Sequence, residues 1–323
     1  MNVLITSASR KVSLIRAFQK ALKQEGGGEV VAIDSSPLSP ALYFADKHYL
    51  LPPTDSPDFI DIILKLCKQL SISLIVPTRD EELALFAEHK QMFKKYGITV
   101  MVSDISGIKI CQNKKSFIKF CQENGFATPK CYSSDEITQS LFPLFAKPQT
   151  GKGGQQAEII KSKEELEILL KENPEMIIQE FIDATEYTID IFADFSGEVI
   201  SVVPRERIKI FNGESFISRT FKNDLLIKES AKLIKKLKLI GHNTIQCFLC
   251  NDKIKFIEIN PRFGGAANLG FVSGAPTPLY LIKLLKGEKL KPRIGDFKDG
   301  YIMLRYTDDL FLNKEEISNK KYI

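Results

Sequence analysis

The sequence predicts an α/β protein in three parts: a parallel-sheet domain at the N-terminus, a small α+β lobe and a C-terminal α+β core. Three observations carry this. Short β-rich runs alternate with helix-period segments up to about residue 112. A glycine-rich loop then sits inside a compact strand-loop-strand-helix-strand unit, and a long hairpin ending in polar residues lies near the close of the chain. With 323 residues the chain is long enough for two or three units sharing large cores. The implied division is 1–112, 113–182 and 183–323.

In order, residues 3–6 read as an apolar strand and 12–22 as a helix. A second strand is expected at 30–34, a helix at 59–70, a third strand at 74–77, a helix at 81–95 and a fourth strand at 98–102. Such runs separated by helices call for a parallel sheet covered on both faces. A dinucleotide site would need a glycine-rich turn after the first strand. That turn is Thr6-Ser7-Ala8-Ser9-Arg10, so nicotinamide binding and hydride transfer are set aside, although Asp34 ends the second strand where a ribose-binding acid would stand. Gly26-Gly27-Gly28 precedes a strand and reads as a turn.

From residue 113 the grammar changes. Residues 114–124 form a helix closed by Gly125, with Pro129 shortly after. Strands are expected at 144–147, 155–160 and 176–181, with a helix at 163–171. Three strands in meander follow near 187–194, 199–204 and 216–219, then a helix at 224–237, a hairpin over 243–260 and helical segments at 266–272 and 277–285.

Composition narrows the function. Hydrophobic content of 44% and charged content of 26% are ordinary for a globular protein, and the net charge of +5 is mild. Lys232, Lys235, Lys236 and Lys238 fall in a helical pattern and read as a solvated face, not a nucleic-acid patch. Six cysteines in a chain of this size make no disulfide framework. Cys247 and Cys250 lie in a strand, where residues three apart point to opposite faces, so they share no metal and read as buried thiols. Three histidines, none near another, leave little for zinc or a histidine triad. No apolar run approaches the ~18 residues of a membrane span, and the start reads as a strand and not as a signal peptide. The expected location is cytoplasmic.

Three constellations carry chemistry. Lys147-Pro148-Gln149-Thr150-Gly151-Lys152-Gly153-Gly154 offers backbone N–H groups and two lysines to phosphate, but a plain hairpin loop fits it as well. In the 243–260 hairpin, pairing Cys250 with Ile254 sets Phe248 against Phe256 and Gln246 against Glu258. A one-residue slip sets Phe248 against Lys255 and Gln246 against Ile257. The first register matches like with like. It brings Gln246, Glu258 and Asn260 onto one face, oxygen donors of the kind Mg²⁺ shares with substrate phosphates, and Arg262 follows with a guanidinium suited to phosphate. Finally, Gln179-Glu180-Phe181-Ile182 with Glu186 could hold an adenine edge and a ribose, or be simply a strand and turn.

Taken in order, Lys114, Lys147, the glycine loop, Gln179–Ile182, Glu186, Gln246 and Glu258-Ile259-Asn260-Pro261-Arg262 resemble the ATP-grasp superfamily. Within it, they resemble carboxylate–amine ligases similar to the carbamoyl-phosphate synthase large subunit. The resemblance covers nearly the whole chain. It implies an ATP-grasp fold behind a Rossmann-like domain, with Lys114 and Lys147 on nucleotide phosphates and Gly151, Gly153 and Gly154 folding over them. It further implies Gln179, Glu180, Phe181 and Ile182 at the adenine, Glu186 at the ribose, and Gln246, Glu258 and Asn260 at magnesium, with Mn²⁺ as a substitute. Arg262 and Lys147 would act on the transferred phosphoryl group. Arg205 and Arg207 match basic positions that reach the phosphate or the acyl substrate, or are surface cations.

The implied reaction joins a small-molecule carboxylate to an amine through an acyl phosphate, releasing ADP and phosphate. A single such unit argues against carbamoyl phosphate as the product. A non-catalytic ATP sensor, a thiol acceptor and carboxylation chemistry are the alternatives. Arg10, Lys11, Arg79, Asp80 and Glu81 fall on turns at the carboxyl ends of the first domain's strands, where substrates bind in open α/β sheets. The segment after Asn268, with Gly270, Ser273 and Gly274, could line an acyl pocket. Oligomeric state is left open, a homodimer being compatible.

Overall fold

The structure, a computed structural model, describes residues 1–151, 156–211 and 213–318. The first part runs β1 (Asn2–Ile5), α1 (Val12–Gln24), β2 (Val30–Asp34), β3 (Lys47–Leu50), α2 (Phe59–Gln69), β4 (Ile72–Val76), α3 (Asp80–Lys95), β5 (Thr99–Val100) and α4 (Ile105–Gln112). Its strands form one parallel sheet in the order β3-β2-β1-β4-β5. Alternate residues feed two cores, as the pleat requires. Val3, Ile5, Val30, Ala32, Leu74 and Val76 pack with Leu14, Ile15, Phe18 and Leu22 of α1. Leu4, Val31, Ile33 and Ile75 pack with Ile63 and Leu66 of α2 and with Leu83 and Phe86 of α3. The strand at β3 and the helix at α4 are additions to the sequence expectation.

The second part comprises α5 (Lys114–Glu123), β6 (Cys131–Tyr132), β7 (Leu144–Pro148), β8 (Glu158–Ile160), α6 (Lys163–Glu172) and β9 (Met176–Glu180). Its strands make an antiparallel sheet, β6-β9-β7-β8. Asn113 Oδ1 accepts from Ser116 N at 2.9 Å and Ser162 Oγ from Glu165 N at 3.3 Å, so α5 and α6 each start on a side-chain cap. Leu166 and Leu169 of α6 cover Leu144, Ala146 and Ile178.

The third part runs β10 (Glu186–Ala193), β11 (Val199–Phe211), β12 (Glu214–Thr220), α7 (Asp224–Leu237), β13 (Gly241–Cys250), β14 (Lys253–Asn260), α8 (Asn268–Ser273), α9 (Thr277–Leu285), β15 (Ile302–Leu304) and α10 (Lys314–Ser318). The strands form an antiparallel sheet ordered β14-β13-β10-β11-β12-β15. One face is apolar: Ile189, Ile191, Val202, Ile245 and Ile259 pack under Leu226, Leu233, Ile234 and Leu237 of α7. Burying each such side chain contributes about 1.5–3 kcal/mol, which holds the helix to the sheet. The lysines of α7 are exposed, as a solvated face requires. The opposite face carries Thr188, Arg205 and Gln246 along the cleft, while Phe192 and Ile200 join the apolar core that α1 and α9 build with the first part.

The β13–β14 hairpin departs from both registers weighed from the sequence and uses a piece of each. Gln246 faces Glu258 and Ile245 faces Ile259, as in the first register; nearer the turn, Phe248 faces Lys255 and Cys247 faces Phe256, as in the second. A bulge at Ile257 joins the two halves. Phe256 is therefore buried in the α7 core and does not share a face with Glu258. Cys247 is buried and Cys250 half-buried, a correction to the expectation that both are enclosed. Among the described residues no helix is long and apolar enough to cross a membrane.

Candidate functional site

A cleft of about 2510 Å³ runs between the three parts. Lys114, Lys147, Gly151, Gln179, Glu180, Phe181, Ile182, Glu186, Arg205, Arg207, Gln246, Glu258, Asn260 and Arg262 all border it, as do Arg10, Lys11, Arg79 and Asp80 from the first part. Gly153 and Gly154 lie outside the described residues. Gly274 reaches the cleft, whereas Ser273 is buried and donates to Gly270 O at 3.0 Å.

Cross-strand pairing assembles the polar floor. Thr188 lies opposite Gln246 on one side and Arg205 on the other, and Gln246 lies opposite Glu258. Gln246 Nε2 donates to Glu186 Oε1 at 2.6 Å, which pins the amide and leaves its Oε1 as the atom available to a cation. Asn260 Nδ2 donates to Glu258 Oε1 at 3.1 Å, and Arg262 Nη2 donates to Asn260 Oδ1 at 3.2 Å. Among the described residues no three His, Cys, Asp or Glu side chains group as a metal site. One carboxylate and two amides leave most coordination positions to ligand oxygens and water. That donor set fits Mg²⁺ carried on phosphates, not a metal held by protein alone.

Lys147 projects from β7 and is 5% exposed. Burial pulls its ammonium down to about 8, Glu258 opposing the fall and Lys114 adding to it. Lys114 Nζ donates to Gly151 O at 2.9 Å, so the first residue of α5 already touches the glycine loop. At the end of β9 the side chains turn inward. Gln179 Nε2 donates to Pro129 O at 3.2 Å, and Glu180 Oε1 accepts from Lys130 N at 2.7 Å and Lys255 Nζ at 2.5 Å. What this segment offers a flat ring is therefore backbone and the Phe181 and Ile182 side chains.

Glu186 is more engaged than a free ribose acceptor: its Oε1 takes both Gln246 and the Arg207 guanidinium. Arg207 Nε also donates to Ser215 Oγ at 3.1 Å and Nη2 to Gly213 O at 2.7 Å. Two residues back, Arg205 is 1% exposed and donates to both oxygens of Asp190, at 2.6 and 3.2 Å. His242 Nε2 lies 3.5 Å from Asp190 Oδ1. Burial favours the neutral acid, yet Arg205 and His242 outweigh it and hold Asp190 at about 2. Asp190 and His242 were not singled out from the sequence; the available signal was a carboxylate in the middle of an apolar strand.

The glycine-free first turn takes left-handed backbone at Ser7 (φ 47°) and Ser9 (φ 47°). Two acids fix it. Buried Glu82 accepts from Thr6 Oγ1 at 2.8 Å, Ser7 Oγ at 3.0 Å, Thr78 N at 2.6 Å and Arg79 N at 3.0 Å, lacing the turn after β1 to the turn after β4. Asp34 Oδ2 accepts from Ser9 N at 2.8 Å, so that acid holds a loop. Burial, and then the positive charge of Arg262, brings Lys11 down to about 8. Arg262 itself pairs with Asp80, its Nε donating to Asp80 Oδ1 at 2.8 Å.

Comparison with known proteins gives the following. A family model described as a PylC-like N-terminal domain matches residues 3–101, and an ATP-grasp domain model matches residues 111–266. The carbamoyl phosphate synthase large chain of Pseudothermotoga lettingae is 26% identical over 294 residues, covering 83% of this chain and 26% of that protein. The Thermoplasma volcanium counterpart is 25% identical over 301 residues, covering 84% of this chain and 28% of that one. The chain thus spans about a quarter of the length of these relatives. Among solved structures, a biotin carboxylase from Campylobacter jejuni superposes with a TM-score of 0.73 at 17% identity, over 93% of this chain and 74% of that chain. An N5-carboxyaminoimidazole synthetase from Staphylococcus aureus gives a TM-score of 0.68 at 16% identity, over 90% and 78%. At such identities these structures speak for the fold.

Proposed function

We infer the function from one premise: the chain belongs to the ATP-grasp superfamily, in its carboxylate–amine ligase-like branch related to carbamoyl phosphate synthase large chains. On this reading it is a ligase that phosphorylates a small-molecule carboxylate with ATP and passes the acyl group to an amine. The observation that carries the reading is the end of β14, where Glu258, Asn260 and Arg262 meet Gln246 across the cleft from Lys147 and Lys114.

In the proposed reaction a carboxylate oxygen attacks the γ-phosphorus of ATP, the bond to the β-bridging oxygen breaks, and ADP leaves. The acyl phosphate is then attacked at carbon by the amine nitrogen, which loses a proton as phosphate departs. Mg²⁺, held by Glu258, Gln246 Oε1 and Asn260, would neutralise phosphate charge when bound. Lys147 and Arg262 supply fixed positive charge where negative charge gathers on the transferred group. A polyphosphate beside Lys147 favours its protonated form, offsetting the effect of burial. Lys114 keeps the glycine loop against the same phosphates, and the segment 180–182 takes the adenine edge with Glu186 and Arg207 nearby. Residues 113–182 serve as the lobe that closes and excludes water from the acyl phosphate, between a domain at 1–112 and a core at 183–323.

The test is hydroxylamine trapping with Mg-ATP across a panel of carboxylates, reading hydroxamate and ADP together. Matching yields of the two are expected, and they would name the donor class. Protein that binds Mg-ATP yet forms neither product would favour the sensor alternative. Glu258→Gln should lower turnover by about 10³-fold or more with an unchanged circular dichroism spectrum. Full activity in that variant would sink the metal assignment.

A further inference from the structure

The strongest link between the first part and the proposed phosphoryl site is a pair separated by 182 positions in sequence, Asp80 and Arg262. Asp80 is the first residue of α3 and Arg262 follows the end of β14. Both are half-buried on the wall of the cleft. Arg262 donates through Nε to Asp80 Oδ1 at 2.8 Å and through Nη2 to Asp80 Oδ2 at 2.5 Å. It donates a second Nη2 hydrogen to Asn260 Oδ1 at 3.2 Å and an Nη1 hydrogen to Phe263 O at 3.3 Å.

A guanidinium has five N–H groups. Four of them have acceptors among the described residues, and these acceptors lie on two sides of the planar fork. The group is therefore fixed in position and in rotation, with one Nη1 hydrogen left to meet a ligand. A long side chain reaching into a solvated cleft would otherwise sample several rotamers, and misplacement by about 1 Å costs up to about 10²-fold in rate. Asp80 is itself held: Gln112 Nε2 donates to its backbone oxygen at 2.5 Å, and its carboxylate stands at the start of α3, where negative charge is favoured.

We propose that Asp80 is a positioning residue that holds the Arg262 guanidinium ready for the transferred phosphoryl group, so that the first part of the chain sets the geometry of the phosphoryl site. The proposal rests on the ligase reading for its kinetic consequence but not for its structural one.

Two measurements test it. In the hydroxamate assay Asp80→Asn should lower kcat by about 10- to 100-fold while leaving the ATP KM within about twofold, and Asp80→Glu should recover at least part of the loss. A role in folding alone would instead lower the fraction of active protein in both variants, leaving no gain on restoring the carboxylate. Independently of turnover, ¹⁵N-arginine NMR should show a slowly exchanging, downfield Nε–H resonance that disappears in Arg262→Lys and is lost or shifted in Asp80→Asn. An unchanged resonance in Asp80→Asn, or kcat in that variant equal to the wild type, would overturn the proposal. A wild type that shows the resonance but makes no hydroxamate would count against the ligase reading, and with it the kinetic role, while the Asp80 clamp on Arg262 would stand.

Discussion

Arg205 and Arg207 stand two residues apart on β11, on the same face, each paired with a carboxylate on β10. They are nonetheless different objects. Arg205 gives two hydrogens to Asp190, in a pair with 1% and 4% of the side chains exposed, and its Nη1 has no partner among the described residues. Arg207 spreads over Glu186, Ser215 and Gly213, and its carboxylate is 20% exposed and shared with Gln246. The first is a closed ion pair and the second an open relay that ends beside the proposed metal ligand. The difference lies at the carboxylates, 4% exposed at Asp190 and 20% at Glu186, since Arg207 itself is only 6% exposed, and charge is screened less where water is excluded.

The comparison can be broken most forcefully at Asp190. Asp190→Ala strands Arg205 as a buried, unpaired cation and should destabilise the protein by about 3–5 kcal/mol in denaturant unfolding. Replacing the pair together with apolar residues should recover most of that loss. A smaller loss, similar to that of Glu186→Ala, would mean that the two pairs are equivalent.

Acid titration sharpens the same contrast. Asp190 is held at about 2 against an ordinary 3.8, so the folded form binds protons less readily than the unfolded chain. Its contribution is present above about pH 4 and is lost as pH falls through about 2. The difference corresponds to roughly 2 kcal/mol. Asp190→Asn should flatten the stability profile over that window. At Arg207 the smallest change in stability is expected: Arg207→Ala should cost about 1–2 kcal/mol while shifting ATP KM or kcat by about tenfold. Loss of stability without a kinetic effect would close the gap between the two arginines.

How much of this was legible beforehand depends on contrast within a segment. Glu258, Asn260 and Arg262 stood out because polar side chains interrupt an apolar alternation, and α7 and α9 because their apolar spacing and ends are well marked. The short strand Lys47-His48-Tyr49-Leu50 carries no such alternation, so nothing in its sequence marks it as a strand. Helix α4 is short and contains Gly107, whose lack of a side chain lets Leu239 approach but weakens the helical pattern. Arg205 and Arg207 looked alike because sequence gives the facing of a residue but not its depth. Asp80 falls on a turn where the sequence places candidate substrate contacts, but nothing local to it points to Arg262, since that contact exists only once two distant parts of the chain have packed together.

The bulge in the β13–β14 hairpin has a consequence of a different kind. Ile254, Phe256 and Ile259 face the α7 core, while Ile257, Glu258 and Asn260 border the cleft. Without Ile257 the rest of β14 would still alternate correctly, core then cleft, through to Asn260. Ile257 is thus a supernumerary residue: an apolar side chain added to the cleft wall beside Glu258 without altering which way any neighbour points. A substitution at Ile257 therefore changes the cleft wall beside Glu258 without moving the facing of Phe256, Glu258 or Ile259.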